Sequence, residues 1–200
     1  MHAAPRYHHG DLRAALVERA TDVVATGGVD ALSLRELARD LGVSHAAPSR
    51  HFPDRQALLD AVAVNGFRRL GAALDTLLPA VRSATTFTDQ LRQHADAYVR
   101  FAMSNAPLLT VMFASKHRRE APAEIVLAAE RAFAVPLRLI AEAQRDGEVI
   151  AGSIDVLATA IHATMHGFAG LVTGGLLEEA DWERALARTM GLLVEGLRPR

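Results

Sequence analysis

Cysteine is absent from the 200 residues of the sequence. Its absence excludes disulfide bonds, thiolate zinc sites and cysteine nucleophiles, and it fits a reducing compartment. Aromatic residues are scarce, at 5% of the chain, whereas apolar residues of all kinds make up 50% and can fill a core. A formal net charge of −1 excludes a uniformly basic surface. Any affinity for nucleic acid must therefore come from a few well-placed basic side chains.

Charged residues are missing from one long segment, residues 156–177. Its length and apolar composition would suffice to cross a bilayer. However, the segment contains His162 and His166, and its flanks are acidic rather than basic. A buried helix of a soluble bundle is therefore the better interpretation. The first residues also lack the apolar core of a secretion signal, so we expect a cytoplasmic protein without a membrane partner.

The segment 33–52 has the pattern of two short helices joined by a tight turn. Ser33 and Glu36 have the spacing of a capping box, and Gly42 stands where the first helix needs a residue that tolerates the left-handed conformation. Ser44 can then cap the second helix, which carries outward polar side chains. This arrangement is typical of a helix-turn-helix, which places its second helix in the DNA major groove.

The rest of the chain shows helical spacing of apolar residues and no convincing strand, so we predict an all-α fold. Asp54 can cap the helix that follows the helix-turn-helix, and Pro136 is expected to kink a later helix. The helices predicted outside the helix-turn-helix cover about residues 10–26, 54–79, 89–105, a short stretch after 107, 122–145, 154–174 and 181–197.

Sequence on both sides of the helix-turn-helix extends it into a longer pattern. The pattern comprises residues 7–12, 33–38, 41–44 and 50–55, followed by Leu58 and Leu59. It resembles the N-terminal head of TetR-type (tetracycline-repressor-like) transcription regulators. His166 and Gly167, followed by an apolar run, resemble the subgroup whose ligand domain carries a Trp/His-Gly motif.

The resemblance implies a homodimer with two functional parts. Residues 1–70 would form the helix-turn-helix DNA-binding domain, with three helices plus a connecting fourth helix. Residues 71–200 would form a helical bundle for ligand binding and dimerisation. The implied function is a ligand-responsive transcription regulator of the repressor type. It would bind a pseudo-palindromic double-stranded DNA operator as a dimer and leave it when a small-molecule inducer binds, without a cofactor, a metal or enzymatic activity.

Several side chains of the head are candidates for contact with DNA. His45 lies near the start of the recognition helix, where side chains reach base edges, and Ala46 could contact a thymine methyl. The resemblance places Arg35 where an arginine can reach guanine. Each candidate also has a structural interpretation, such as a helix cap for Ser44 or a backbone hydrogen bond for His51. The candidates for phosphate contact are Ser44, Ser49, His51 and Arg55, with Arg6, His8 and His9 as a basic arm.

The C-terminal half offers apolar and aromatic side chains that suit an adaptable ligand pocket. His162 and His166 lie one helical turn apart, where they could orient a polar ligand group or bind a metal. Ordinary core packing is the alternative for every one of these residues, and no third metal ligand is evident. The predicted pocket residues are Phe101, Met112, Phe113, Phe133, His162, Met165 and His166.

The last two helices are candidates for the dimer interface, as the resemblance implies. The preceding helix offers small residues that allow close approach, and the last helix offers one apolar stripe. Alternatively, that stripe closes the bundle of the chain itself. The small residues are Gly167, Gly170 and Gly174, and the stripe consists of Trp182, Leu186, Met190, Leu193 and Leu197.

Two functions of other classes stay open at this point. The chain could be a small helical enzyme or metal-binding protein that uses His162 and His166, although the sequence has no nucleophile elbow, phosphate-binding glycine loop or carboxylate metal motif. It could also be an interaction module that does not bind DNA. Sequence-specific binding to DNA would separate the regulator from both alternatives.

A substitution at Ser49 tests the docking of the recognition helix. The family pattern usually has tyrosine at this position, and the phenol adds a phosphate hydrogen bond and packing that serine lacks. Ser49→Tyr should therefore tighten operator binding, measured by fluorescence anisotropy over a salt series. Unchanged affinity at every salt concentration would refute this role for the position.

Overall fold

The computed structural model of the protein describes residues 12–76, 86–177 and 181–199. Within these ranges it contains ten α-helices, one 3-10 helix and no strand, which confirms the predicted all-α fold. The predicted arm of Arg6, His8 and His9 lies outside the described residues. The helices are α1 (Leu12–Gly27), the 3-10 helix (Val29–Ala31), α2 (Leu34–Asp40), α3 (Ala47–His51), α4 (Arg55–Asp75), α5 (Phe87–Ser104), α6 (Ala106–His117), α7 (Ala123–Ala132), α8 (Ala134–Arg145), α9 (Ile154–Thr173) and α10 (Trp182–Gly196).

The helices group into two compact units. The first unit consists of Met1–Phe67 together with Pro107–Ala128, and the second consists of Arg68–Ala106 together with Ala129–Arg200. The chain therefore enters the second unit within α4 and returns to the first at the start of α6. The functional division at residue 70 stays a prediction, because compactness by itself assigns no activity to either part.

Gly42 sets the turn between α2 and α3, as predicted. Its φ angle is +65°, a conformation that glycine adopts without the steric cost of a Cβ atom. The N–H of Val43 donates to the carbonyl of Ala38 at 2.9 Å, and the N–H of Gly42 donates to the carbonyl of Arg39 at 3.1 Å. This pair of bonds is a Schellman motif, which satisfies the last carbonyls of α2 and turns the chain towards α3.

The predicted caps of α2 and α4 are confirmed. Ser33 Oγ accepts a hydrogen bond from the N–H of Glu36 at 3.4 Å, and Asp54 Oδ1 accepts one from the N–H of Ala57 at 2.8 Å. Each cap satisfies an amide in the first turn that has no partner within its helix. Both helices therefore begin close to the predicted residues.

The predicted cap of α3 by Ser44 is wrong. The helix begins at Ala47 with Ala46 at the N-cap position, and the carbonyl of Ser44 accepts a bond from the N–H of Ala47 at 2.9 Å. Pro48 explains the late start. It has no N–H to donate to the carbonyl of Ser44 four residues earlier, the bond that would extend the helix backwards. As a result, α3 is only five residues long.

Polar side chains connect α1 with the other helices of the first unit. Arg19 donates from Nε and Nη2 to the same carboxylate oxygen of Asp40, at 2.9 and 2.7 Å, and so joins α1 to α2. Asn65 on α4 donates from Nδ2 to Glu18 at 2.8 Å and to the buried Thr21 at 3.1 Å. These contacts fix α2 and α4 against α1, the helix that precedes both in the chain.

Helix α6 packs against α4 within the first unit. Gly66 allows a close approach, because a Cβ atom there would come within 2.6 Å of the sulfur of Met112. The rings of Phe67 and Phe113 meet edge to face with centroids 5.7 Å apart. A larger residue at Gly66 would therefore displace the buried Met112 from this contact.

Helix α5 is the centre of the second unit and packs against α8, α9 and α10. Leu91 and Tyr98 on α5 are completely buried, and Ala97 and Phe101 on another side of the helix are 9% exposed. Nine of the 18 residues of the helix are buried, and the side chains of three other helices cover this half.

The prediction that the α10 stripe packs between two chains is wrong for three of its five residues. Trp182, Leu186 and Met190 are exposed by only 5%, 1% and 0% in the single chain, because α10 packs against α5. The alternative, in which the stripe closes the chain's own bundle, holds for them. In contrast, a Cβ atom at Gly167 or Gly170 on α9 would meet nothing within 4 Å.

The segment expected to form one kinked helix forms two helices instead. The break between α7 and α8 lies at Phe133, whose backbone angles are φ −100° and ψ 10°. Pro136 lies in the first turn of α8, and it cannot donate to the carbonyl of Ala132 four residues earlier. A proline is tolerated in a first turn, so the helix ends before it and a new one begins.

Candidate functional site

Five of the predicted DNA-contacting side chains are exposed around the turn between α2 and α3. Beneath them, Leu37 and Ala38 are buried, with exposed fractions of 1% and 0%, and Pro48 is also buried. The apolar side of the two helices is thus fixed to the unit and the polar side faces outwards. The exposed residues are Arg35, Ser44, His45, Ala46 and Ser49.

Arg55 and His51 are the other two predicted DNA contacts, and their surroundings differ. His51 is half-buried at the end of α3, whereas Arg55 is exposed at the start of α4. Arg55 donates from Nη2 to the carbonyl of Val29 at 2.7 Å and so fastens the 3-10 helix to α4. A guanidinium has five N–H groups, so this bond leaves Arg55 with further donors for an anion.

Side chains of the second unit form a cluster that we call the histidine–tyrosine cluster: His94, Tyr98, Phe133, His162 and His166. Tyr98 Oη lies 2.8 Å from Nδ1 of His166. The His162 ring meets Tyr98 and Phe133 edge to face, with centroid distances of 5.6 and 4.7 Å. His94 is 2% exposed, and its Nε2 has no hydrogen-bond partner among the described residues.

Burial controls the ionisation of this cluster. It lowers the pKa of His94 to about 4, with the charge of His162 as a second cause, and it raises the pKa of Tyr98 above its ordinary value. Both side chains are therefore uncharged near neutral pH. A neutral imidazole and a neutral phenol can each donate or accept a hydrogen bond, but neither can balance a ligand charge.

Two sequence profiles match the chain. The profile described as "Bacterial regulatory proteins, tetR family" matches residues 16–62, which contain the helix-turn-helix. The profile described as "Tetracyclin repressor-like, C-terminal domain" matches residues 91–197. The chain belongs to the TetR family. It is a TetR-family transcription regulator with the expected helix-turn-helix head and helical C-terminal domain.

Solved structures share the fold of the TetR-family chain over nearly its whole length. A protein of unknown function from Rhodococcus sp. RHA1 is 40% identical, with a TM-score of 0.86, and the match covers 98% of this chain and 100% of that one. A TetR family transcription regulator from Marinobacter aquaeolei VT8 is 18% identical, with a TM-score of 0.72 and coverage of 96% and 97%. The fatty acid degradation regulator FadR from Bacillus halodurans is 16% identical, with a TM-score of 0.70 and coverage of 97% and 100%. The last two show the fold alone, and no curated protein matches the chain.

The predicted pocket residues of the regulator divide between the two units. Met112 and Phe113 lie in the first unit, and the others lie in the second. Met165 is buried at 1% exposure. Phe101 lines a groove of about 420 Å³ along α5, together with Asp96 and Arg100. A single pocket formed by all seven predicted residues stays a prediction.

Sequence reasoning missed His94 and Tyr98, the two members of the cluster on α5. A signal for them does exist, because residues 94 and 98 have the same i, i+4 spacing as His162 and His166. Two such pairs on two helices of one bundle indicate a shared polar centre, but the helix pairing was not known from the sequence.

The described residues offer little support for a metal site or a membrane span. No group of three or more His, Cys, Asp or Glu side chains within these ranges could hold a metal ion. Helix α9 is long and apolar enough to cross a membrane by length and composition alone. It packs against α5 and α8 as a helix of the bundle.

The buried His94 should make the stability of the regulator depend on pH. The unfolded chain binds a proton near the ordinary histidine pKa of 6.5, whereas folded His94 binds one only near pH 4. The free energy of unfolding is therefore highest above pH 6.5 and decreases as the pH falls towards 4. At pH 5 the decrease that His94 causes is about 2 kcal/mol. Urea unfolding of wild type and His94→Leu at pH 7.5 and pH 5 measures this loss, which should be smaller by that amount in the variant. An equal loss in both proteins would show that another group is responsible.

Proposed function

We propose that the TetR-family regulator binds a pseudo-palindromic operator in the cytoplasm as a homodimer, represses transcription there, and is released by a small-molecule inducer bound in its C-terminal domain. The observation that carries this proposal is the exposed set of Arg35, His45 and Ala46 above a buried apolar layer. Such a set leaves base-reading and phosphate-binding groups accessible while the helices stay fixed. Residues 1–70 then form the DNA-binding domain and residues 71–200 the ligand-binding and dimerisation domain.

The roles of the head residues follow from their chemistry and position. Arg35 can donate two hydrogen bonds to the O6 and N7 atoms of guanine, and His45 and Ala46 can read neighbouring base edges. Arg55 lies in the first turn of α4, where amides of the helix also favour an anion. Ser44, Ser49, His51 and Arg55 are assigned to phosphates, which set the register of the head on the duplex.

The exposed side of the last two helices supports a dimer. On α9, Val156 and Leu171 are 67% and 43% exposed, and on α10 Leu192 is 77% exposed. Gly170 on α9 is also exposed, and no atom lies within 4 Å of the position that its Cβ would take. A second copy of the chain could cover these apolar residues, and the glycines would allow the helices to approach closely.

The alternative roles of His162 and His166 in catalysis or metal binding have weaker support. Nδ1 of His166 lies at hydrogen-bond distance from Tyr98 Oη, and His162 packs between Tyr98 and Phe133. These contacts fit ring packing and recognition of a neutral ligand better than metal coordination, which needs further ligands.

Arg35→Ala tests the proposed reading of the operator. Anisotropy with duplexes from the promoter beside the regulator's own gene should show sequence-specific binding by the wild type. Removal of the guanidinium should cost about 1–3 kcal/mol and relax preference at one base pair. Arg145→Ala is the matched control, since Arg145 is an exposed arginine at the end of α8 that pairs with Glu142 at 3.9 Å.

Two results would count against this assignment. An equal loss by Arg35→Ala on every duplex would mean a phosphate contact rather than base reading. The absence of sequence-specific binding by the wild type, at low and moderate salt, would overturn the DNA-binding function and favour an interaction module.

Gly170→Arg tests the dimer interface. The single chain can accommodate the change, because no atom lies within 4 Å of the new Cβ position, but a charged side chain between two closely packed helices should separate the chains. Sedimentation velocity should give twice the chain mass for the wild type and a single chain mass for the variant. Ala114→Arg, at an exposed position on α6, should stay dimeric. A dimer for Gly170→Arg would place the interface elsewhere.

A further inference from the structure

We propose that the histidine–tyrosine cluster binds the polar group of an uncharged aromatic ligand, with Nε2 of His94 and Oη of Tyr98 as its hydrogen-bonding partners. The inference rests on the proposed function, because it names the chemical class of the inducer. It assigns the two α5 residues of the cluster to recognition of the ligand, in addition to the histidines of α9.

The first observation is the unpaired nitrogen of His94. The side chain is 2% exposed, and its Nε2 has no partner among the described residues. Buried polar atoms in proteins almost always have a hydrogen-bond partner, because an unpaired one costs the free energy of its lost hydration. A leucine at this position would pack without that cost. A hydroxyl, carbonyl or amide group of a ligand would satisfy the nitrogen.

The second observation is the graded exposure of the cluster. His94 and Tyr98 are buried, Phe133 and His162 are half-buried, and His166 is exposed. The cluster therefore extends from a closed polar end on α5 towards the surface of the second unit. Tyr98 Oη joins the two ends, since it lies 2.8 Å from Nδ1 of the exposed His166.

The third observation concerns the shape of the ligand. The rings of Tyr98 and Phe133 meet His162 at interplanar angles of 78° and 73°. Aromatic rings favour this edge-to-face arrangement, and another flat ring can join it through the same contacts. The surroundings thus favour a planar aromatic body over a flexible aliphatic chain.

The fourth observation concerns the charge of the ligand. His94 and Tyr98 are 2% and 0% exposed and are uncharged near neutral pH, so the two groups that recognise the ligand offer it hydrogen bonds and no charge. Because burial of an uncompensated charge is costly, the ligand that fits is uncharged.

Four probes with one benzene ring test this inference: benzyl alcohol, benzoate, benzylamine and toluene. They differ in the group that would meet His94 and Tyr98. Each is titrated into the full-length regulator with ¹³C-labelled histidine rings, and the His94 signal is assigned with His94→Leu. Benzyl alcohol should shift the His94 signal saturably at millimolar concentration, as expected for so small a ligand. Benzoate, benzylamine and toluene should bind at least about ten-fold more weakly, the effect of one lost hydrogen bond or one buried charge.

Variants then identify the recognising atoms. Tyr98→Phe and His94→Leu should each weaken benzyl alcohol about ten-fold and leave toluene binding unchanged. In both variants, binding is followed through the ¹³C signals of the cluster histidines that the variant retains. Ser104→Ala, at an exposed position of α5, is the matched control and should bind like the wild type. Tyr98→Phe keeps the ring, so it tests the inference even if His94→Leu does not fold.

Binding of benzoate as tight as that of benzyl alcohol would overturn the inference, as would unchanged binding in Tyr98→Phe. A His94 signal that no probe shifts would do the same, and would mean that water alone satisfies Nε2. The operator assay without any probe tests the proposed function separately. If the operator is bound and the probes fail, this inference alone is refuted; if the probes bind and the operator does not, the proposed function is refuted and the cluster remains a ligand site.

Discussion

The enclosure of α5 by three other helices is the constraint on which the second unit depends. The buried half of this helix stabilises the unit by removing apolar surface from water, and polar groups on that half lose their contact with water as well. His94 and Tyr98 are therefore uncharged. Tyr98 obtains a partner from α9, and His94 keeps one nitrogen unpaired within the described residues. The polar centre of the unit thus results from the same packing that gives it a core.

In the first unit, the backbones of two residues determine the turn between α2 and α3. Gly42 allows the chain to turn with a positive φ angle, and Pro48 withholds the amide that would have joined α3 to the preceding turn. Together they determine where α2 ends and where α3 begins. The side chains of the turn are exposed because the buried positions of both helices are occupied by small or apolar residues.

Local features of the fold could be predicted from the sequence, and features that depend on distant residues could not. Caps at Ser33 and Asp54 and the glycine turn follow from hydrogen bonds over three to five residues, so short patterns reveal them. The outward position of the polar side chains on the helix-turn-helix was predicted from the same short patterns, together with the family resemblance. The pairing of α5 with α9 and the covering of Trp182 depend on how helices pack, which periodicity within one helix does not encode. Serine favours an N-cap position, but Ser44 does not cap α3, because Pro48 has no amide N–H to donate and the helix begins later.

The short length of α3 has a consequence for the proposed reading of DNA. None of the residues proposed to read bases lies on this five-residue helix, because Arg35 is on α2 and His45 and Ala46 precede Ala47. Under the proposed assignment, α3 supplies the phosphate contacts Ser49 and His51, and three side chains of each chain read bases directly. Three side chains distinguish few sequences, whereas a genome offers about a million or more competing sites. Most of the discrimination would then come from the spacing of the two half-sites and from the deformability of base pairs that no side chain touches.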